Sequence, residues 1–276
     1  MPFPSMSYDM HVHTIISPDA DALPEDVIKS AIAKDIHGLC LTDHLDLFNY
    51  KAVGEKNLHS FDNWEKSYDV IKKTRKKWGQ EIEILHGVEL GEIQMDPERA
   101  LEIINSSDID FVLGSSHMVE GYVDFCLIKF ESTAFCKSIM ELYINENIRL
   151  AKLAMVDTIA HIGYPQRYMS QQGLSIRLMD YEEQLRELFK IMIQTGQGLE
   201  LNTSGLRQGA GCTFPNVEVL KLYKELGGEI VTIGSDSHFA EHVGSHIKEA
   251  EDMLRAAGFM YSTFFRKRKA YFIRLV

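Results

Sequence analysis

Seven short apolar runs punctuate the sequence, at residues 8–13, 38–42, 82–89, 111–115, 158–161, 198–202 and 230–234. Polar clusters follow them, and stretches with helical spacing lie between, with apolar residues three and four apart at 140–155 and 181–195. The stretch 24–34 opens on Pro24, which costs little in a first helical turn, where the backbone N–H has no partner anyway. The stretch 217–226 stops at Gly227-Gly228, and glycine readily takes the left-handed conformation that ends a helix. A last helix at 247–257 precedes a final apolar strand at 271–275. Strands that alternate with helices build a largely parallel sheet, either closed as a barrel or open and doubly wound. No GxGxxG or Walker-type glycine loop follows any of these strands, which weakens the nucleotide-binding open sheet. A barrel needs roughly 250 residues, and this chain has 276. Residues 1–276 are therefore read as one α/β barrel domain.

Composition narrows the partners. The net charge is -11, whereas a grip on phosphate backbones needs a basic face, so nucleic acid is not expected. The basic run 72–77 reads as the solvated face of a helix, and the run 266–269 as a helix end or turn. Cys40, Cys126, Cys136 and Cys212 form no CxxC pair, which excludes zinc-finger spacing and a disulfide framework. No signal peptide or membrane-length apolar run is evident, and a cytoplasmic protein is expected. Residues 48–64 are polar, aromatic and poorly periodic, and are read as a long loop over one end of the structure.

The chemistry collects at the C-terminal ends of the strands. His11 and His13 end the first, Asp43 and His44 the second, and Glu89 the third. His117 follows the fourth, His161 ends the fifth, and Asp236 and His238 follow the seventh. In α/β barrels the loops at that end converge on one mouth, so residues scattered along the chain would meet there. Any one of them taken alone reads as a polar group at the start of a loop. Independent placement would not put so many at the same end of successive strands. Imidazole nitrogen and carboxylate oxygen suit zinc, manganese and iron. The set exceeds what a single four-coordinate ion uses, and Glu89 has two oxygens with which to bridge two ions.

The runs Asp9-Met10-His11-Val12-His13-Thr14, Thr42-Asp43-His44 and Gly234-Ser235-Asp236-Ser237-His238, in this order, resemble the polymerase-and-histidinol-phosphatase (PHP) superfamily. Gly87-Val88-Glu89, Ser116-His117 and Ala160-His161 match the positions between, so the resemblance spans almost the whole chain. It implies a distorted (β/α)7 barrel with three divalent ions. The first ion would be held by His11, His13, Glu89 and Asp236, the second by Glu89, His117 and His161, and the third by Asp19, His44 and His238. Asp19 stands where many relatives place a histidine, a departure in residue type though not in its ability to bind metal. The stretches His161–Arg167 and Glu200–Arg207 further resemble the histidinol-phosphatase branch.

That resemblance implies hydrolysis of a small phosphate monoester, L-histidinol phosphate, by a hydroxide bridging two ions. Arg167 and Arg207 follow the fifth and sixth strands, and a guanidinium gives phosphate a two-pronged match. Asp236, His238 or a water would supply the proton to the leaving alkoxide. Asn202 either lines the pocket or holds a loop. Glu92 is the candidate for the substrate amine, with Phe61, Met118 and Tyr122 as candidate walls. The alternatives are a phosphoesterase for nucleotides, oligonucleotides or phosphotyrosine, or a non-catalytic metal-binding regulatory module.

Overall fold

A computed structural model of the chain describes residues 6–47, 61–105 and 108–276, without the side chains of 61–63. Seven parallel strands form its frame: β1 (Tyr8–Val12), β2 (Gly38–Leu41), β4 (Glu83–Gly91), β5 (Phe111–Ser115), β6 (Thr158–Ile159), β7 (Gly198–Asn202) and β8 (Val231–Gly234), paired in that order. Short β3 (His44–Asp46) lies off this path and pairs with the C-terminal half of β4. The sheet closes where the segments after β1 and β8 meet. His13 N–H donates to the Ser237 carbonyl at 2.9 Å, and Asp236 N–H to the His11 carbonyl at 2.8 Å. A nearly closed barrel results, as expected. Its strands read as continuous apolar runs because parallel strands are buried on both faces.

The helices occupy the outer layer: α1 (Pro24–Ala33), α2 (Phe61–Trp78), α3 (Pro97–Asn105), α4 (Thr133–Lys152), α5 (Pro165–Gln171), α6 (Glu182–Thr195), α7 (Ser204–Arg207), α8 (Val217–Glu225) and α9 (Ile247–Ala256). Local chemistry fixes several ends. Ser132 accepts the Phe135 N–H at the start of α4, and Asn216 accepts the Val219 N–H at the start of α8. Gly196 closes α6 in the left-handed region at φ 77°.

Three sequence expectations change. Residues 61–64, read as loop, open α2, while 48–60 lie outside the described residues. Helix α4 begins well before residue 140, because Ser132 caps it there. The final strand is half of a hairpin, β9 (Tyr261–Arg266) with β10 (Lys269–Arg274). Its two-residue turn holds Lys267 and Arg268 at φ 50° and 59°, so the basic run is a turn. The hairpin puts Phe264, Phe265 and Ile273 against Tyr8, Met10, Leu85, Phe111 and Leu113, plugging the N-terminal end of the barrel.

Candidate metal centre

Beyond this packed core the first strand changes register. The pairing of β1 with β2 slips between Asp9 and Val12, a bulge that re-aims the residues after Met10. His11 and His13 then face one another with Nε2 atoms 2.9 Å apart. Around this pair, Glu89 Oε2 lies 3.1 Å from His11 Nε2 and 3.4 Å from His13 Nε2. Asp236 Oδ1 lies 3.8 and 3.5 Å from the same two atoms. The other Glu89 oxygen, Oε1, is 3.1 Å from His117 Nε2 and 3.0 Å from His161 Nε2. His44 Nδ1 approaches Glu89 Oε2 at 2.9 Å. At the rim, half-exposed Asp19 reaches His238 Nε2 at 3.0 Å and His44 Nε2 at 3.7 Å. All nine expected ligands therefore converge, with Glu89 between the two halves of the cluster.

The arrangement behind the histidines shows that the inner nitrogens carry lone pairs. His11 Nδ1 is 2.6 Å from Glu200 Oε1, and the other Glu200 oxygen already accepts the His161 N–H, so the proton of this contact is placed on Nδ1. Ser17 donates its hydroxyl to Asp43 at 2.8 Å and accepts from His13 Nδ1 at 3.0 Å. His238 Nδ1 faces the Asp236 carbonyl at 3.2 Å, which only accepts. Lone pairs on His11 and His13 thus point at each other and at two carboxylates in a buried space. A proton shared on one imidazole or a bound cation relieves that crowding, and with Nδ1 turned outward onto acceptors and Nε2 inward among carboxylates the donor set fits divalent metal. Four groups of donors within 4.8 Å of one another satisfy the same requirement.

Charge within the cluster follows the same logic. Burial works to raise the Glu89 carboxyl, but His44, His11 and His117 overcome it and hold Glu89 well below its ordinary range. Burial likewise opposes ionised Asp236, which His11, His13, Arg167 and His238 pull down. His44 resists its own burial and rises to about 9 because Glu89 and Asp19 face it. The backbone is held in the left-handed region at His161, φ 27°, and at Asp236, φ 53°. Such backbone persists where surrounding structure demands it, often at functional sites.

The arginines flank Asp236. Buried Arg167 donates from Nη2 to Asp236 Oδ2 at 3.0 Å and lies against the rings of Tyr164 and Phe214, 4.8 and 5.7 Å from their centroids. Arg207 donates from Nη2 to the Asp236 carbonyl at 2.6 Å, and its buried Nε and Nη1 have no partner among the described residues.

Asn202 holds a loop: its Oδ1 accepts the Ser204 N–H at 3.0 Å, and its Nδ2 donates to Glu200 at 3.2 Å. Glu92 is fully buried, and its Oε1 accepts the N–H groups of His117 at 2.6 Å and Met118 at 3.3 Å. Its Oε2 has no hydrogen-bond partner among the described residues. Met118 is buried, Tyr122 is half-buried against the core, and the Phe61 side chain lies outside the described residues.

Sequence reasoning gave no aiming role to the residues that orient the ligands. Glu200 takes His11 Nδ1 on one oxygen and the His161 N–H on the other, at 2.7 Å. Its signal was a lone acid inside the apolar run Gly-Leu-Glu-Leu-Asn. Asp43 gathers Thr14 and Ser17, and Asp9 takes the N–H groups of Ser235 and Gly244, both at 2.8 Å.

A seven-stranded barrel with a histidine and carboxylate cluster at its C-terminal mouth defines a metal-dependent hydrolase of barrel type. The PHP domain model matches residues 9–204, and the chain belongs to the PHP family. It is 30% identical over 268 residues to a probable histidinol-phosphatase of Clostridium acetobutylicum, covering 95% of this chain and 98% of that one. It is 26% identical to a histidinol-phosphatase of Lactococcus lactis over 91% of each chain. The structure of the histidinol phosphate phosphatase from L. lactis, complexed with zinc, L-histidinol and phosphate, superposes with a TM-score of 0.74. That match has 25% identity and covers 96% of this chain and 98% of that one.

Proposed function

We propose that this protein is a metal-dependent phosphatase that converts L-histidinol phosphate and water to L-histidinol and phosphate. The observation that carries the reading is the pairing of a donor cluster that fits divalent metal with two arginines converging on Asp236. Similarity to proteins named as histidinol-phosphatases, one of them solved with zinc, L-histidinol and phosphate, supports the substrate.

Three divalent ions, of zinc, manganese or iron, are proposed. His11, His13, Glu89 and Asp236 would hold the first, Glu89, His117 and His161 the second, and Asp19, His44 and His238 the third. When bound, such ions supply Lewis acidity towards the phosphoryl group and a nucleophile at neutral pH.

The chain's own residues do the rest. Arg207 has N–H groups to spare and neutralises phosphoryl oxygens, with Arg167 beside it. The Tyr164 ring holds the Arg167 guanidinium in place. Asp236 is held ionised, so it can take up the proton released by the attacking water. Asp236 so protonated, or His238 at the rim, would deliver that proton as the alkoxide departs. Glu92 Oε2 is the atom left over for the substrate amine. No helix among the described residues is long and apolar enough to cross a membrane.

The test is phosphate release from L-histidinol phosphate beside phosphotyrosine and nucleotide esters, with protein loaded in turn with zinc, manganese or iron. A preference for histidinol phosphate, abolished by chelation, is expected. Equal turnover of the other esters would overturn the substrate, and metal binding without any turnover would overturn the enzyme.

A further inference from the structure

Strand register creates a seat behind one of the metal-facing histidines. In the short ladder between β3 and β4, His44 stands opposite Glu89 and Asp46 opposite Gly91. Two residues along each strand return to the same face, so the pair behind His44 and Glu89 is Asp46 over Gly91. Asp46 Oδ1 lies 3.2 Å from His117 Nδ1, with only 9% of the Asp46 side chain exposed. A Cβ on residue 91 would stand 2.0 Å from that same oxygen, so only glycine leaves room for the carboxylate. On the far side of the imidazole, Nε2 meets Glu89 Oε1 at 3.1 Å.

We propose that Asp46, seated over Gly91, is a positioning residue that accepts the Nδ1–H of His117 and so presents the Nε2 lone pair to the metal centre beside Glu89. The carboxylate fixes which ring nitrogen carries the proton, sets the plane of the ring and makes Nε2 a stronger donor. Loss of such a partner typically costs about 10–100-fold in metal affinity or activity. His44, Asp46 and His117 also place donor atoms within 4.8 Å of one another, so direct ligation by Asp46 is the competing role. The position of Oδ1 against Nδ1, the nitrogen turned away from Glu89, favours positioning. The inference rests on the metal centre throughout, and on the phosphatase reading only for its turnover arm.

Zinc-loaded full-length wild type, Asp46→Asn, Asp46→Ala and Gly91→Ala are titrated with a competing chelator, and bound zinc is counted at saturation. The expected result is an unchanged count and an affinity for the weakest ion lowered about 10–100-fold in Asp46→Ala. Asp46→Asn keeps an oxygen that accepts Nδ1–H and should lose less. Nitrogen-detected NMR should show His117 protonated at Nδ1 in wild type and in Asp46→Asn, and a mixture of tautomers in Asp46→Ala. On the turnover arm, kcat falls while KM holds. Unchanged zinc affinity in Asp46→Ala would sink the proposal. So would the loss of one zinc equivalent at saturation in Asp46→Asn, which would make Asp46 a ligand. Should Gly91→Ala fail to fold, the two Asp46 variants still decide. If histidinol phosphate proves not to be the substrate, the zinc and NMR readouts are unaffected.

Discussion

The two ends of the barrel both bury carboxylates, and they treat them in opposite ways. At the N-terminal end each acid meets an arginine. Arg266 Nε donates to Glu83 at 2.8 Å, Arg268 pairs with Asp157, and Arg75 pairs with Asp110. Backbone N–H groups of His86 and Lys267 complete Asp110, that of Val112 completes Asp157, and the Tyr8 hydroxyl donates to Glu83 at 2.5 Å. At the C-terminal mouth Glu89 meets five histidines and no arginine, while Asp236 divides its oxygens between histidines and Arg167. The histidines differ in the same sense: His44 is drawn up to about 9 by Glu89 and Asp19 against its burial. His86, near the floor, is pushed down to about 4, chiefly by burial. Charge that closes on itself makes a plug, and charge left open to a cation makes a site.

The largest effect should follow removal of the charge on the acid that the mouth histidines share. Glu89→Gln keeps the shape but leaves one neutral oxygen where two charged ones stood. Lewis-acid stabilisation is worth several kcal/mol, so kcat should fall by about three orders of magnitude. The metal-free variant should melt below wild type, since Glu89 is held ionised by His44, His11 and His117 against its burial and its loss leaves them without their carboxylate. Unchanged turnover and metal content in Glu89→Gln would take Glu89 out of the site. Next comes Arg207→Ala, which removes a donor to charge that grows in the transition state. The comparable loss of one preorganised donor costs about 100–1000-fold in kcat. Steady-state kinetics showing intact turnover would remove Arg207 from the phosphate site.

Much of the mouth was legible because its ligands come in pairs two apart, His11 with His13 and Asp236 with His238, at the ends of apolar runs. Periodicity and position carry that signal without any tertiary knowledge. The groups that aim the ligands were not legible, because Glu200 and Asp46 act across strands distant in sequence. A strand of three residues such as β3 is also too short to show a period. At the other end, the hairpin was half seen. Its turn uses Lys267 and Arg268 in left-handed backbone, where Asn-Gly would have announced it. Arg268 is there for its side-chain partners, Asp157 and the Met155 carbonyl, while Lys267 gives only its backbone N–H, to Asp110.

The floor should be the acid-sensitive end of the metal-free fold. His86 is stacked on Trp64, 4.9 Å between centroids, and its Nδ1 faces the Asp108 carbonyl at 3.2 Å. In the fold it titrates near 4, while in the unfolded chain it returns to its ordinary value of 6.5. The unfolded chain therefore binds the extra proton first, and stability falls as pH drops from about 6.5 to about 4. Full protonation costs on the order of 3 kcal/mol at roughly 1.4 kcal/mol per pH unit. Urea titrations of metal-free wild type and His86→Gln across that window should diverge, with the variant flatter. Parallel curves would show that the acid response belongs to the mouth histidines instead.

The smallest effect separates plug from site most cleanly. Arg268→Ala strands Asp157, which is buried apart from 8% of its side chain, while the arginine itself is 28% exposed. Breaking a fully buried pair costs about 3–5 kcal/mol, and water reaching this one should reduce the loss to about 2 kcal/mol. Asp157 would still hold the Val112 N–H at 2.7 Å, so β5 and β6 stay in register. The melting temperature should fall by several degrees with kcat and metal content unchanged, because the packed barrel interior separates the hairpin from the ligands. Should Arg268→Ala lower zinc affinity instead, the two ends are coupled through the strands. The floor would then be part of what holds the mouth open to its ions.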